Sequence, residues 1–112
     1  MSINWEQIVD AADETGKDIL SVIKPYLPAL AREGPDVWEG FIKHLNDDDF
    51  TKIDEMMYGK MTQPERRELE LEVLKDAYQA SKARFRRKGI YKEVAQKLLI
   101  RILLRVATAG IV

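Results

Sequence analysis

The last third of the chain combines helical periodicity with an unusually wide apolar surface. At about 100° per residue, many of its apolar residues fall on one side of a helix: Val94, Ala95, Leu98, Leu99, Ile102, Leu103 and Val106. Lys97, Arg101 and Arg105 form a narrow stripe on the opposing side. Ile100, Leu104 and Ala107 widen the apolar arc, which extends from Leu98 round to Leu104 over roughly 240°. A surface helix needs less, so we expect this helix either to lie centrally in a bundle or to be covered by a second subunit.

The rest of the 112-residue chain also carries helical patterns and helix boundary signals. Thr62 and Glu65 form a capping-box pattern, Pro35 suits a first helical turn, and Asn46 is predicted to close its helix in a left-handed conformation. We predict helices over about 5–24, 35–46, 50–58, 62–88 and from about 90 onward, with 25–34 a turn or short helical piece. No strand pattern competes with them.

These elements predict an all-α protein of one domain, residues 1–112. The expected architecture is a small bundle of about five helices. The last two should be long and antiparallel, with the chain turning at Gly89.

Few residues of this chain suit catalysis or metal binding. It contains no cysteine, and its only histidine, His44, lies at helical spacing from Asp48. The run Asp47-Asp48-Asp49 fails as a calcium loop, because Lys52 stands where the loop needs glycine and Tyr58 where it needs glutamate. We therefore expect a non-enzymatic protein with no cofactor and no metal site. The absence of cysteine and of a basic, signal-like N-terminal segment leads us to expect a cytoplasmic protein.

The small net charge of −1 conceals opposite charges on the two halves of the chain. Residues 1–60 contain 6 Lys or Arg and 13 Asp or Glu, and residues 61–112 contain 12 and 6. The halves can therefore attract each other, within one domain or between subunits packed head to tail.

Six cations lie close together in residues 82–92, which we call the basic turn: Lys82, Arg84, Arg86, Arg87, Lys88 and Lys92. Phe85 and Tyr91 lie among them, so nucleic-acid binding is one alternative function. Cations are also expected at a helix C-terminus because they complement the helix dipole. In addition, consecutive positions such as Arg86 and Arg87 point about 100° apart and do not share one face.

We expect the protein to act by contacting protein, as an assembly or regulatory component that self-associates through its C-terminal helix. The predicted interface residues are Leu98, Ile100, Leu103, Leu104 and Ala107. A second alternative is membrane-surface binding through helix 91–109, since a basic stripe beside an apolar arc is typical of interfacial helices. Spanning a membrane is not expected, because Arg101 and Arg105 interrupt the apolar run.

Overall fold

A computed structural model of the protein describes residues 14–89 and 92–111, with side chains at 16–89 and 92–105. This part of the chain confirms the all-α class. Its elements are α1 (Glu14–Ile23), a 3-10 turn (Lys24–Tyr26), α2 (Leu27–Ala31), α3 (Pro35–Asn46), α4 (Phe50–Tyr58), α5 (Gln63–Leu74), α6 (Asp76–Lys88) and α7 (Lys92–Ile111). The predicted start of the first helix, and residues 90 and 91, lie outside the described residues.

Several helix boundaries follow the local signals in the sequence. α1 ends before Pro25, which lies in the 3-10 turn, and α3 begins at Pro35. At the start of α5, the Thr62 hydroxyl accepts from the Glu65 N–H while the Glu65 carboxylate accepts from the Thr62 N–H, so the capping box is confirmed. α6 ends at Gly89, which has a φ of 57°. Glycine adopts this left-handed conformation without the steric cost that a Cβ brings.

The prediction that Asn46 closes α3 in a left-handed conformation is wrong. The Asn46 side chain donates a hydrogen bond to the Ile42 carbonyl at 2.9 Å, and the residue stays helical. The chain instead turns two residues later at Asp48, whose φ is 55°. Aspartate tolerates this region better than most side chains, because its short carboxylate can accept hydrogen bonds locally. Asp49 then caps α4 by accepting from the Lys52 N–H.

The predicted single helix over 62–88 is also wrong, because the chain breaks at Lys75. The ψ of Lys75 is 137°, which is extended, and α6 starts at the next residue. Leu69 and Tyr78 are nine residues apart, so a straight helix would place them on opposite sides. Both are nearly fully buried, with 3% of their surface exposed. The break lets α5 and α6 each turn its own apolar residues towards the core, and it adds a helix to the number predicted.

Two sets of helices pack around a shared core. α6 packs mainly on α1, and α5 packs on the 3-10 turn and on α6. α7 packs on α3 and α2, and less extensively on α1. The largest fully buried side chains come from both sets: Tyr26, Phe41, Ile19, Ile23, Leu27, Leu30, Ile42, Leu45, Ile53, Met57, Leu99 and Leu103. α7 therefore has neighbours along its inner side.

Candidate interaction surfaces

The inner side of α7 lies in the core. Ala95, Leu99 and Leu103 are fully buried, and Ile102 is nearly so. These positions recur at steps of three and four residues, so they form the stripe that contacts α3 and α2. Burial between helices thus accounts for much of the wide apolar arc in the sequence.

The outer side of α7 carries an open groove with apolar residues in it. Leu104 is 56% exposed, and Ile100, one turn before it, is half-buried. The groove has a volume of about 570 Å³, and we call it the α7 groove. Its lining residues are Glu93, Gln96, Lys97, Ile100, Arg101 and Leu104. Water therefore contacts apolar surface at the centre of this groove and charged groups at its edges.

The five predicted interface residues differ in how far the structure buries them. Leu103 is fully buried, so in this fold it is a core residue with no surface to offer a partner. Leu98 is partly buried and packs against the core. The Ala107 side chain lies outside the described residues. Ile100 and Leu104 are the two that line the α7 groove.

Two cations of the basic turn converge on one buried carboxylate. Asp18 on α1 is 4% exposed. The Arg84 Nε donates a hydrogen bond to its Oδ1 at 3.1 Å. The Lys88 Nζ lies 2.9 Å from Oδ2, as an ion pair without the geometry of a hydrogen bond. These contacts join α6 to α1, so the attraction predicted between the basic and acidic halves is present here.

Two further cations of the basic turn contact Asp48, between α3 and α4, and Phe50, the first residue of α4. The Arg86 Nε lies 2.6 Å from an oxygen of Asp48, so the carboxylate that sequence spacing placed near His44 is paired with Arg86. The Lys82 Nζ lies 4.1 Å from the centre of the Phe50 ring, as a cation–π contact. Burial lowers the pKa of Lys82, and the nearby charge of Arg86 lowers it further.

Arg87 and Lys92 are the remaining cations of the basic turn, and both are exposed. Neither has an ion pair with another described residue. Lys92 lines a second groove of about 380 Å³ together with Asp36 and Glu39 of α3. Four of the six predicted nucleic-acid contacts thus interact with other parts of this chain, which reduces the positive charge available to an external polyanion.

A second exposed apolar surface, which the sequence did not indicate, lies at the end of α5. Leu71 is 56% exposed and Leu74 is 81% exposed, and we call this pair the α5 patch. The residues are three positions apart, so they are neighbours on the helix surface. Both residues fall within the single helix predicted over 62–88. In a straight helix Leu71 would lie on the same side as Tyr78 and Phe85, which are seven and fourteen positions later, so the spacing gave no signal that Leu71 is exposed.

A comparison of the chain with protein-family models, with curated proteins and with solved structures found no match. In the part of the chain that the structure describes, three or more His, Asp or Glu side chains are nowhere grouped as metal ligands. Among the same residues, no helix has both the length and the hydrophobicity needed to cross a bilayer.

Proposed function

We propose that this protein acts through contact with protein, and that it self-associates through the α7 groove. The observation that carries the proposal is the exposure of Leu104 beside Ile100, on a helix whose other side is buried in the core. Transferring a leucine side chain from water to an apolar environment stabilises by about 1.5–3 kcal/mol. Because Leu104 is 56% exposed, covering it with a second subunit contributes part of this free energy towards association.

The charged groups around the groove also suit a protein interface. Glu93, Lys97 and Arg101, at four-residue steps along α7, line the groove beside Ile100 and Leu104. Protein interfaces commonly have an apolar centre from which water is excluded and a polar rim that sets the orientation of the partner. We infer a non-enzymatic, cytoplasmic assembly or regulatory component, in which the last two helices form the antiparallel pair that the sequence predicts.

Sedimentation velocity across a micromolar concentration series tests the proposal. We expect the wild type to shift from monomer to larger species as concentration rises. Leu104→Glu places a carboxylate in the apolar centre of the groove, so this variant should sediment as a monomer at concentrations where the wild type associates.

Val94→Glu is the matched control, because Val94 is an exposed apolar residue of α7 that does not line the groove. This variant should associate like the wild type. Circular dichroism should show the same helix content for all three proteins. A wild type that remains monomeric throughout the series contradicts the proposal, as does a Leu104→Glu variant that associates normally.

The two alternative functions depend on different residues. Membrane-surface binding would place Ile100 and Leu104 in lipid, so it predicts co-sedimentation with anionic vesicles in place of self-association. Nucleic-acid binding would depend on the basic turn, where contacts with Asp18, Asp48 and Phe50 engage four cations. Self-association is the function that the exposed groove supports best.

A further inference from the structure

The α5 patch and the α7 groove are two separate exposed apolar surfaces on one chain. Leu74 of the patch and Leu104 of the groove are 81% and 56% exposed, so the described part of the chain leaves much of both side chains accessible. The patch lies at the C-terminal end of α5, next to the extended Lys75, whereas the groove lies along α7. Both surfaces are therefore accessible to a second copy.

The two surfaces also differ in charge. Carboxylates outnumber cations around the α5 patch, where the charged residues are Glu68, Glu70, Glu72, Asp76, Arg67 and Lys75. Lys75 contacts Glu72 at 2.8 Å, which leaves three carboxylates against Arg67. The α7 groove has the opposite balance, with Lys97 and Arg101 against Glu93. Opposite charges at the edges favour this pairing and orient it.

We infer that the α7 groove of one copy binds the α5 patch of a second copy. The inference rests on the proposed self-association and identifies the surface that occupies the groove. Each copy carries one groove and one patch, so the contact is heterologous: after it forms, each end of the pair still presents one unused surface. Repetition of the contact generates a closed ring or an open chain of subunits.

A two-fold contact between two α7 helices is less favourable on the same observations. It would bring Lys97 and Arg101 of both copies into one interface, with one Glu93 from each copy to offset them. Like charges at close range oppose association. Such a contact would also leave Leu71 and Leu74 exposed.

Mixing two variants tests the inference. Leu74→Glu removes the patch but keeps the groove, and Leu104→Glu removes the groove but keeps the patch. Each variant alone should lose self-association and sediment as a monomer. An equimolar mixture should form a heterodimer that grows no further, because the intact groove of one variant binds the intact patch of the other. Labelling one variant with a fluorophore allows the heterodimer to be followed directly during sedimentation.

The outcomes separate this inference from the proposed function. If Leu104→Glu loses association while Leu74→Glu associates like the wild type, the groove is the interface but the patch does not bind it, and the inference is overturned. A mixture that remains monomeric also overturns it. Ala80→Glu, at an exposed position on α6, is the matched control and should leave association unchanged. Circular dichroism on each variant verifies that the fold is intact.

Discussion

At the scale of single residues, Asp18 and Glu65 each contact more than one group elsewhere in the chain. Asp18 is buried between Arg84 and Lys88, and Glu65 is held by Arg32 and by the start of its own helix. The Arg32 guanidinium binds both Glu65 oxygens, at 2.7 and 2.6 Å. Removing the Asp18 charge therefore weakens the contact of α1 with α6, and removing the Glu65 charge affects both Arg32 and the start of α5.

Asp18→Asn should lower the free energy of unfolding by about 1–3 kcal/mol, because it leaves two cations without their buried counter-charge. The partial exposure of Arg84 and Lys88 keeps the effect below that of a fully buried pair. Urea denaturation measures the change. Asp47→Asn is the control, since Asp47 is exposed, and should change stability by less than about 0.5 kcal/mol. Equal losses in the two variants would show that the Asp18 contacts do not stabilise the fold.

Glu65 predicts a pH dependence at the acid end. Its hydrogen bonds from Arg32, and then those at Thr62, hold the pKa of Glu65 at about 2, below the ordinary value of 4.5. Because the folded state has the lower pKa, the stabilisation is complete above pH 4.5 and is lost as pH falls towards 2. Glu65→Gln should lower the free energy of unfolding by about 1–2 kcal/mol at neutral pH. Arg32 is half-exposed, so solvent screens its interaction with Glu65 and limits the loss.

The comparison of Glu65→Gln with the wild type by urea denaturation at several pH values measures this effect. The difference between the free energies of unfolding of the two proteins should become smaller as pH falls from 4.5 towards 2. Glu68→Gln, on the same helix but exposed, is the control and should show no such narrowing. A constant difference at all pH values would show that the carboxylate charge is not responsible.

At the scale of helices, the break at Lys75 determines which residues are buried. It allows Leu69 on α5 and Tyr78 on α6 to reach the core, and it leaves Leu71 and Leu74 exposed. Lys75 is the N-cap residue of α6, but its side chain makes no capping hydrogen bond. The first turn of α6 therefore lacks a favourable contact that serine would supply.

Lys75→Ser should raise the free energy of unfolding by about 0.5–1 kcal/mol through a new cap on α6. Lys75→Ala loses the same contact with Glu72 but has no hydroxyl, so the difference between the two variants isolates the cap. Thermal and urea denaturation measure both. In a continuous helix the order would reverse, because alanine is a better interior helix residue than serine.

At the scale of the whole molecule, burial and charge account for different parts of the C-terminal third. Packing of α7 on α3 and α2 buries Ala95, Leu99 and Leu103, so most of its apolar arc is used within one copy. The ion pairs of Arg84, Lys88 and Arg86 join the basic turn to the acidic half of the chain. Among the described residues, the most exposed large apolar side chains are Leu74, Leu71 and Leu104, which belong to the α5 patch and the α7 groove, and the proposed association of copies buries them.

The sequence by itself determined the helical class and several helix boundaries. These signals are local: Pro35 fixes its own φ, Thr62 and Glu65 reach each other within one turn, and Gly89 accepts a left-handed conformation. They need no information about the rest of the fold. The sequence also placed Ile100 and Leu104 beside the basic stripe, where the structure has the groove.

Only the tertiary structure decided which apolar and charged residues are used inside the molecule. Asp18 and Arg84 are 66 positions apart, and no local pattern links them. Leu103 and Leu104 are adjacent in sequence, yet one is fully buried and the other is 56% exposed. Burial and ion pairing depend on which distant helices come together, and the break at Lys75 follows from the same requirement. For this reason the α5 patch became visible only once the helices were packed.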